Sequence, residues 1–249
     1  MRARKGFVVL RYAGLAAMML VVAMSFAAPG KEKKAGKSRK AKAETAAQTE
    51  GAAKAEEGWI SLFDGKSLDG WKVNESPNSF MVENGTIMTM NGTRSHLFYD
   101  GPVQNHNFKN FEFRADCMTT TGANSGIFFH TRFQETGWPS IGYECQVNSS
   151  HSDPKRTGSL YNTVDKVEPK GSTLSQDGKW FRYDIIVKGK QITLKVDGKT
   201  IVDYTEPADV KGGKRLSNGT FALQAHPPAK KEQAGTVYFK NIMVRPLPD

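Results

Sequence analysis

Short runs of alternating apolar and polar residues, separated by turn residues, fill the chain from residue 59 to residue 249. The segment SFMVENGTIMTM carries Asn84-Gly85 between two such runs, which is the strongest short signal for a β-hairpin. The segment WFRYDIIVKGKQITLKVDGKTIVDYTE predicts three strands that turn at 188–190 and 197–198. Further strands are predicted in NFEFRADCM, NSGIFFHTR, GYECQVN, GTFALQAH and GTVYFKNIMVRPL, and no stretch shows helical periodicity. This pattern predicts an all-β domain built as a two-sheet sandwich or a barrel.

The strand in GYECQVNSS, residues 142–150, raises a question about its polar face. Tyr143, Cys145 and Val147 share one phase, while Glu144 and Gln146 share the other. In a sandwich, one phase of a strand points at the opposite sheet and the other points outward. The outward face is either wet or the lining of a sugar-binding groove.

A neighbouring predicted strand, NSGIFFH, contributes to the same surface. Ile127 and Phe129 share one phase, and Phe128 and His130 share the other. The two strands together offer a mixed surface of aromatic, His, Glu and Gln side chains.

The chain begins with MRARKGFVVLRYAGLAAMMLVVAMSFAAPG, in which basic residues precede an apolar run that ends in small residues. These regions predict a secretory signal peptide over residues 1–28, cleaved after Ala27 or nearby. An uncleaved anchor is the alternative, but the run is short for a membrane span of about 20 residues. We therefore expect a secreted, periplasmic or cell-envelope protein with no transmembrane span after cleavage.

Residues 29–58 contain no aromatic residue and no Val, Ile or Leu, so they are predicted to form a disordered Lys/Ala-rich linker. The formal net charge of +10 comes mostly from the signal peptide and this linker. Residues 59–249 carry no basic stripe interleaved with aromatic residues, so we expect no nucleic-acid partner.

Two cysteines, Cys117 and Cys145, lie in the predicted domain. Both occupy the apolar phase of their strands, so buried free thiols and a disulfide are both open. No Cys/His cluster has zinc spacing.

Several motifs of residues 59–249, in order, resemble the 3-keto-disaccharide hydrolase domain family, formerly a domain of unknown function. They are WISLFDGKSLDGW, ANSGIFFHTR, GYECQV, TGSLYNTV, KWFRYDIIVKGKQITLKVDGKTIVDY and GTFALQAH followed by VYFKNIMVRPL. The resemblance implies a concanavalin-like jelly-roll β-sandwich of two antiparallel sheets, an exported location and a carbohydrate substrate. The family often has Arg where this chain has His130, and often Asp where it has Asn148.

The chemistry of a glycosidase normally requires two carboxylates beside the scissile bond. The strand that begins at Tyr143 supplies Glu144 alone, followed by Gln146 and Asn148. A 3-keto sugar needs only one base, because the ketone acidifies the hydrogen at C2. The resulting enolate expels the C1 leaving group, and water then adds to the enone.

The catalytic candidates are Glu144 or His130 as the base, with His130, Arg132 or a divalent cation stabilising the enolate. Each candidate also has a purely structural explanation, as a surface carboxylate, a strand end or a turn. The substrate-binding candidates are Gln146, Arg132, Asn124, Trp138, Tyr161 and His226. No cofactor is predicted with certainty.

Two hypotheses remain from the sequence besides a conventional glycoside hydrolase. One is an exported enzyme that cleaves the glycosidic bond of 3-keto-glycosides, and the other is a carbohydrate-binding module without turnover. Aromatic and amide side chains would suffice for binding. Catalysis requires the ionisable Glu144 and His130 to face one pocket.

Overall fold

The computed structural model describes residues 58–90, 92–228 and 235–249. The predicted signal peptide, and the predicted linker up to residue 57, lie outside the described residues. Among the described residues, no helix has the length and apolar character needed to cross a membrane.

One sheet has eight strands, with the order β11-β10-β9-β6-β13-β4-β3 and with β1 added against β13. Its strands are β1 (Ile60–Ser61), β3 (Phe80–Glu83), β4 (Thr86–Thr89), β6 (Phe111–Thr119), β9 (Phe181–Lys188), β10 (Gln191–Val196), β11 (Lys199–Thr205) and β13 (Val237–Pro246).

The other sheet has five strands, with the order β2-β5-β12-β7-β8. Its strands are β2 (Trp71–Val73), β5 (Ser95–Tyr99), β7 (Ser125–Thr131), β8 (Tyr143–Val147) and β12 (Thr220–Ala225). All strand pairs in both sheets are antiparallel. The predicted all-β, two-sheet sandwich is confirmed. The helical content of the described residues is two 3₁₀ segments, Pro77–Ser79 and Val103–His106.

The predicted hairpin turns are confirmed at both Asx-Gly pairs. Asn84 and Gly85 have φ angles of 49° and 75°, and Asp197 and Gly198 have φ angles of 49° and 76°. A two-residue turn of type I′ requires positive φ at both positions, which Asn, Asp and Gly adopt at low cost. These turns fix the register of β3 with β4 and of β10 with β11.

The core lies between the sheets and is rich in aromatic side chains. Phe111, Phe113 and Phe221 pack ring against ring, with centroids 4.6 to 4.9 Å apart for the pairs that include Phe221. Cys117 and Cys145 are fully buried in this core as free thiols, which decides between the two alternatives left by the sequence.

The outer face of the five-stranded sheet is not fully exposed to solvent, because it carries buried apolar side chains. Phe98, Phe128 and Ala222 form a second buried cluster there, against which Phe133 packs. Residues of several loops also lie on this face and line the cavity described next.

Candidate functional site

A cavity of about 300 Å³ opens on the outer face of the five-stranded sheet. The cavity is lined by residues of three strands and five loops: Asn124, Phe128, Trp138, Pro139, Glu144, Gln146, Asp153, Tyr161, Asn162, Lys214, Gln224 and His226. The polar face of GYECQV therefore lines a pocket and is not simply wet.

Strand β8 places Glu144 and Gln146 on the floor of the cavity, because both lie in the phase opposite the buried Tyr143 and Cys145. Glu144 pairs with Phe128 of β7, and Gln146 pairs with Gly126. The Glu144 side chain lies over Gly126, where an added Cβ would stand only 2.5 Å from its Oε1. Gly126 thus makes room for the carboxylate.

The carboxylate of Glu144 is partly buried and accepts a hydrogen bond of 2.9 Å from Nε2 of Gln224 on β12. Burial raises the pKa of Glu144 to about 7, against the lowering effects of the Gln224 hydrogen bond and of Lys214. A carboxyl group with this pKa exchanges a proton readily near neutral pH.

Lys214 brings a cation to the same cavity from the loop between β11 and β12. Its Nζ donates a hydrogen bond of 3.3 Å to the carbonyl oxygen of Tyr161. Desolvation lowers the pKa of Lys214, and the charge of Glu144 opposes this shift. The Tyr161 hydroxyl donates to Oδ2 of Asp153 at 2.9 Å. The pKa of Tyr161 is raised, mainly by burial and to a smaller extent by this hydrogen bond.

Asn148 organises the loop that carries Asp153. Its Nδ2 donates to the carbonyl oxygens of Asp153 at 3.0 Å and Lys155 at 2.8 Å. Its Oδ1 accepts from the backbone N–H of His151 at 2.9 Å and from Nη1 of Arg156 at 3.0 Å. A carboxylate could not donate to the two carbonyls, so the amide at this position has a structural reason in this chain.

The His226 ring and the Trp138 indole form one wall of the cavity, and His151 packs behind His226. The ring centroid of His226 lies 5.3 Å from that of Trp138 and 5.4 Å from that of His151. Nδ1 of His226 contacts the carbonyl oxygen of Pro227 at 2.5 Å, so this nitrogen carries the proton. Burial lowers the pKa of His226, so its Nε2 is an unprotonated acceptor near neutral pH.

Buried polar atoms without a hydrogen-bond partner concentrate at this cavity. Among the described residues they include Oε1 of Gln146, Oε1 of Gln224 and Nε2 of His151. Both ring nitrogens of His96 are also buried without a hydrogen-bond partner among the described residues. The His96 ring packs on Phe128 and Trp138, with centroids 5.4 and 5.5 Å away. Unpaired buried groups are rare because each costs about 1–3 kcal/mol, so a cluster of them indicates a ligand site.

The expectation that His130 shares this pocket with Glu144 is not met. His130 has a φ of 54°, and the β7–β12 pairing shifts register between Thr220 and Ala222, so the residue leaves the outward phase. The residue is 1% exposed, and its ring packs on Phe111 with centroids 5.7 Å apart.

His130 instead ties two loops together. Its Nδ1 accepts the backbone N–H of Ser217 at 3.1 Å, and its Nε2 donates to the carbonyl oxygen of Lys109 at 2.9 Å. Burial lowers the pKa of His130 to about 4, so the ring is neutral and able to make both bonds. Ser217 belongs to the loop that carries Lys214, which gives His130 a positioning role. An arginine here could not accept the Ser217 N–H.

Arg132 also lies outside the cavity of Glu144. It lines a second cavity, together with Phe98, Phe133 and Thr131. The structure thus brings together Glu144, Gln146, Asn124, Trp138, Tyr161 and His226, and leaves out His130 and Arg132.

Sequence reasoning missed Asp153, Lys214 and Gln224, as well as His96 and His151 behind the wall. Gln224 had a detectable signal, because it occupies the polar phase of GTFALQAH beside the core residues Leu223 and Ala225. The loop residues had none, because turn-rich segments carry no periodicity from which to read a direction.

A divalent cation was one of the sequence-based candidates for stabilising an enolate. The described residues contain no group of three or more His, Cys, Asp and Glu side chains placed to hold a metal ion.

One relative among curated proteins is a 3-keto-disaccharide hydrolase of Bacteroides thetaiotaomicron, 25% identical over 175 residues. The alignment covers 59% of this chain and 59% of that relative, so the chain spans about three fifths of the relative's length.

Solved structures share the sandwich fold. A candidate glycosyl hydrolase from Parabacteroides distasonis ATCC 8503 superposes with a TM-score of 0.62 at 22% identity, covering 77% of this chain and 95% of that one. The exoplasmic/lumenal domain of VIP36, in its Ca²⁺/Man3GlcNAc-bound form, superposes with a TM-score of 0.51 at 9% identity, covering 78% and 90%. These likenesses confirm the concanavalin-like jelly roll predicted from the sequence.

The model of one family, described as the 3-keto-alpha-glucoside-1,2-lyase-like domain, matches residues 58–245. This match includes every strand from β1 to β12 and nearly all of β13, together with all residues of the cavity. The chain belongs to the 3-keto-alpha-glucoside-1,2-lyase-like domain family.

Proposed function

We propose that this chain is an exported enzyme that cleaves the glycosidic bond of 3-keto-glycosides, with Glu144 as the base. The substrate would bind in the cavity of about 300 Å³ with C2 of its oxidised ring facing the carboxylate. The family membership and the name of the Bacteroides relative support this substrate class.

The reaction proceeds in two stages. The carboxylate of Glu144 removes the proton from C2, and the electron pair forms an enolate whose charge lies on the C3 oxygen. The C1–O bond then breaks, the leaving oxygen takes the proton, and an enone forms between C1 and C3. Water finally adds its hydroxyl group to C1 and a proton to C2, so the net reaction is hydrolysis.

Lys214 takes the enolate-stabilising role for which the sequence offered His130, Arg132 or a divalent cation. Its ammonium group lies in the lining of the same cavity as Glu144, and the two charges interact. A cation held near the developing negative charge lowers the barrier because it needs no reorganisation during the reaction. Glu144, once protonated, would return its proton to the leaving oxygen.

The remaining lining suits a sugar ring. The Trp138 indole is 43% exposed and offers an apolar face to a pyranose. The unpaired amide oxygens of Gln146 and Gln224 accept hydroxyl protons. His226 Nε2 accepts a further one.

The observation that carries the proposal is the environment of Glu144. Burial holds its pKa at about 7, and among the described lining residues the only other carboxylate is Asp153. Asp153 is occupied by the Tyr161 hydroxyl and by the backbone N–H of Lys155 at 2.9 Å. This arrangement favours a one-base elimination over a conventional two-carboxylate hydrolase.

A binding module without turnover is the competing function. It would use Trp138 and the amides equally well, but it gives no reason for a buried carboxylate beside a cation. The test is to incubate the purified chain with a 3-keto-disaccharide beside its unoxidised parent disaccharide. We expect release of the 3-keto monosaccharide from the first and no cleavage of the second. Binding of both without cleavage of either would favour the module, and cleavage of both would favour a conventional hydrolase.

A further inference from the structure

A second cavity lies on the same face of the five-stranded sheet, at the end of the strands where β5 and β7 stop and β12 begins. Its volume is about 420 Å³, against about 300 Å³ for the cavity of Glu144. The buried cluster of Phe98, Phe128 and Ala222 lies between the two, because Phe128 lines the first and Phe98 lines the second.

The wall of the second cavity contains a buried hydroxyl without a partner. Thr131 and Thr220 are paired across β7 and β12 and both line the cavity. The Thr220 hydroxyl donates to the carbonyl oxygen of Tyr99 at 2.5 Å, whereas Oγ1 of Thr131 is buried and has no hydrogen-bond partner among the described residues. An unpaired hydroxyl in this position is satisfied when a ligand in the cavity bonds to it.

The rim of the second cavity includes a segment of strained backbone. Gln104, Asn105 and His106 have consecutive φ angles of 52°, 49° and 46°, a left-handed turn made without glycine. L-residues avoid this region, and such strain persists where the surrounding structure holds it for a function. The turn directs Asn105 and His106 to the lining of the cavity.

Charged and planar polar groups complete the lining. Arg132 has no carboxylate partner among the described residues, while Asp100 lies 3.8 Å from Nε2 of His106. The carboxylate of Asp100 disfavours an anionic ligand. Neighbouring hydroxyl groups of a neutral sugar can donate to Asp100 and accept from Arg132 at the same time. The Phe133 ring supplies an apolar surface beside them.

We propose that this second cavity is a separate carbohydrate-binding site for a neutral, unoxidised pyranose ring, held by Arg132, Asp100, Asn105 and the Thr131 hydroxyl. The site does not depend on the keto group or on Glu144. It would hold the protein on a glycan while the other cavity acts on its own substrate.

The test is a titration of the full chain, labelled with ¹⁵N, with methyl α-D-glucopyranoside, methyl α-D-galactopyranoside and methyl α-D-mannopyranoside at millimolar concentrations. We expect at least one of them to shift the amide signals of Asn105, Arg132 and Thr220. Shifts confined to Trp138 and Tyr161, or none with any of the three sugars, would overturn the proposal. Shifts at the second cavity with sodium sulfate alone would also overturn it, because they would indicate an anion site.

Two variants separate ligand binding from folding. We expect Arg132→Ala to weaken the sugar-dependent shifts at least about tenfold, whereas Arg182→Ala, on the eight-stranded sheet, should leave them unchanged. Thr131→Val removes only the unpaired hydroxyl, so binding should fall while the thermal midpoint stays the same or rises. Equal affinity in Arg132→Ala and wild type would refute the site. Turnover is not measured in this test, so its result is independent of the function proposed for Glu144.

Discussion

Glu144 is a carboxylate whose charged form is disfavoured by its position. Burial raises its pKa, while the Gln224 amide and the Lys214 ammonium group only partly offset that effect. Above its ordinary pKa, such a group reduces the stability of the fold, because it ionises more easily in the unfolded chain, where water surrounds it.

The first prediction concerns stability against pH for Glu144→Gln. The folded-state pKa of about 7 lies above the ordinary pKa of 4.5 of a glutamate in water, so the folded protein binds more protons between these two pH values. Stability of the wild type therefore falls as pH rises through this window. At pH 8 the variant should be more stable by up to about 3 kcal/mol, and at pH 4 the difference should vanish. Urea unfolding at both pH values measures it, and a wild type more stable than the variant at pH 8 contradicts the buried charge.

The second prediction concerns His130→Ala. This change leaves the Ser217 N–H and the Lys109 carbonyl without their partner and opens a cavity beside Phe111. We expect a loss of about 2–4 kcal/mol in unfolding free energy. Denaturant titration tests it against His106→Ala, an exposed histidine. Equal stability of the two variants would show that His130 does not hold the loops together.

The contrast between Glu144 and His130 shows what alternation along one strand can predict. Glu144 pairs in regular register with Phe128, so its direction follows from the phase of its neighbours. His130 follows the same alternation in sequence, but a bulge between β7 and β12 turns it inward. Nothing local in NSGIFFHTR announces the bulge, because it depends on the partner strand.

At the scale of elements, β7 and β8 act together to hold the carboxylate. The backbone of Gly126 lies beneath the Glu144 side chain, and its φ angle is not among the positive values that only glycine adopts readily. An alanine would therefore be acceptable to the strand and would disturb only its neighbour.

The third prediction is that Gly126→Ala displaces the carboxylate and lowers kcat/KM for a 3-keto-disaccharide by about 10-fold or more. Its Cβ would stand 2.5 Å from Oε1 and 2.9 Å from Cγ of Glu144, so the side chain must move. Gly92→Ala is the matched control, because a Cβ there meets nothing within 4 Å. Steady-state kinetics of both variants decide, and unchanged kcat/KM in Gly126→Ala would mean that the position of Glu144 does not matter.

The loop residues of the site, Asp153 and Lys214, could not be predicted from the pattern of strands. The side-chain amide of Asn148 donates to the backbone carbonyl oxygen of Asp153, and Lys214 donates to the carbonyl oxygen of Tyr161. The Lys214 contact joins residues 53 positions apart, and both contacts depend on the finished fold. The strands, by contrast, were predictable because a two-residue period and Asx-Gly turns are local properties of the sequence.

At the scale of the whole molecule, the fold class and the burial of Cys117 and Cys145 follow from alternation, whereas only the structure shows that the two thiols are free. Strands β1, β2 and β5 were missed: β1 and β2 have only two and three residues, and β5 is buried at all five positions, so it shows no alternation of apolar and polar residues. Strand β5 matters most among them, because it carries His96 beside Trp138 and Phe98 beside the second cavity.

The fourth prediction is that deleting residues 29–57 leaves the unfolding free energy of the domain unchanged within about 0.5 kcal/mol. That segment has no aromatic residue and no Val, Ile or Leu, so it has little apolar surface to bury. Urea unfolding of chains beginning at residue 29 and at residue 58 makes the comparison. A loss of several kcal/mol in the shorter chain would show that the segment packs on the sandwich.

The most direct test of elimination at C2 is to run the reaction in deuterium oxide and measure the deuterium content at C2 of the released 3-keto monosaccharide. The product is sampled early, and the value is corrected for exchange that occurs without enzyme. Elimination followed by hydration predicts one deuterium at C2 in every product molecule formed by the wild type. Glu144→Gln should release product about 10² to 10⁴ times more slowly, because an amide cannot take the C2 proton. Enzymatic product that keeps its original hydrogen at C2, or wild-type turnover by Glu144→Gln, would contradict the account.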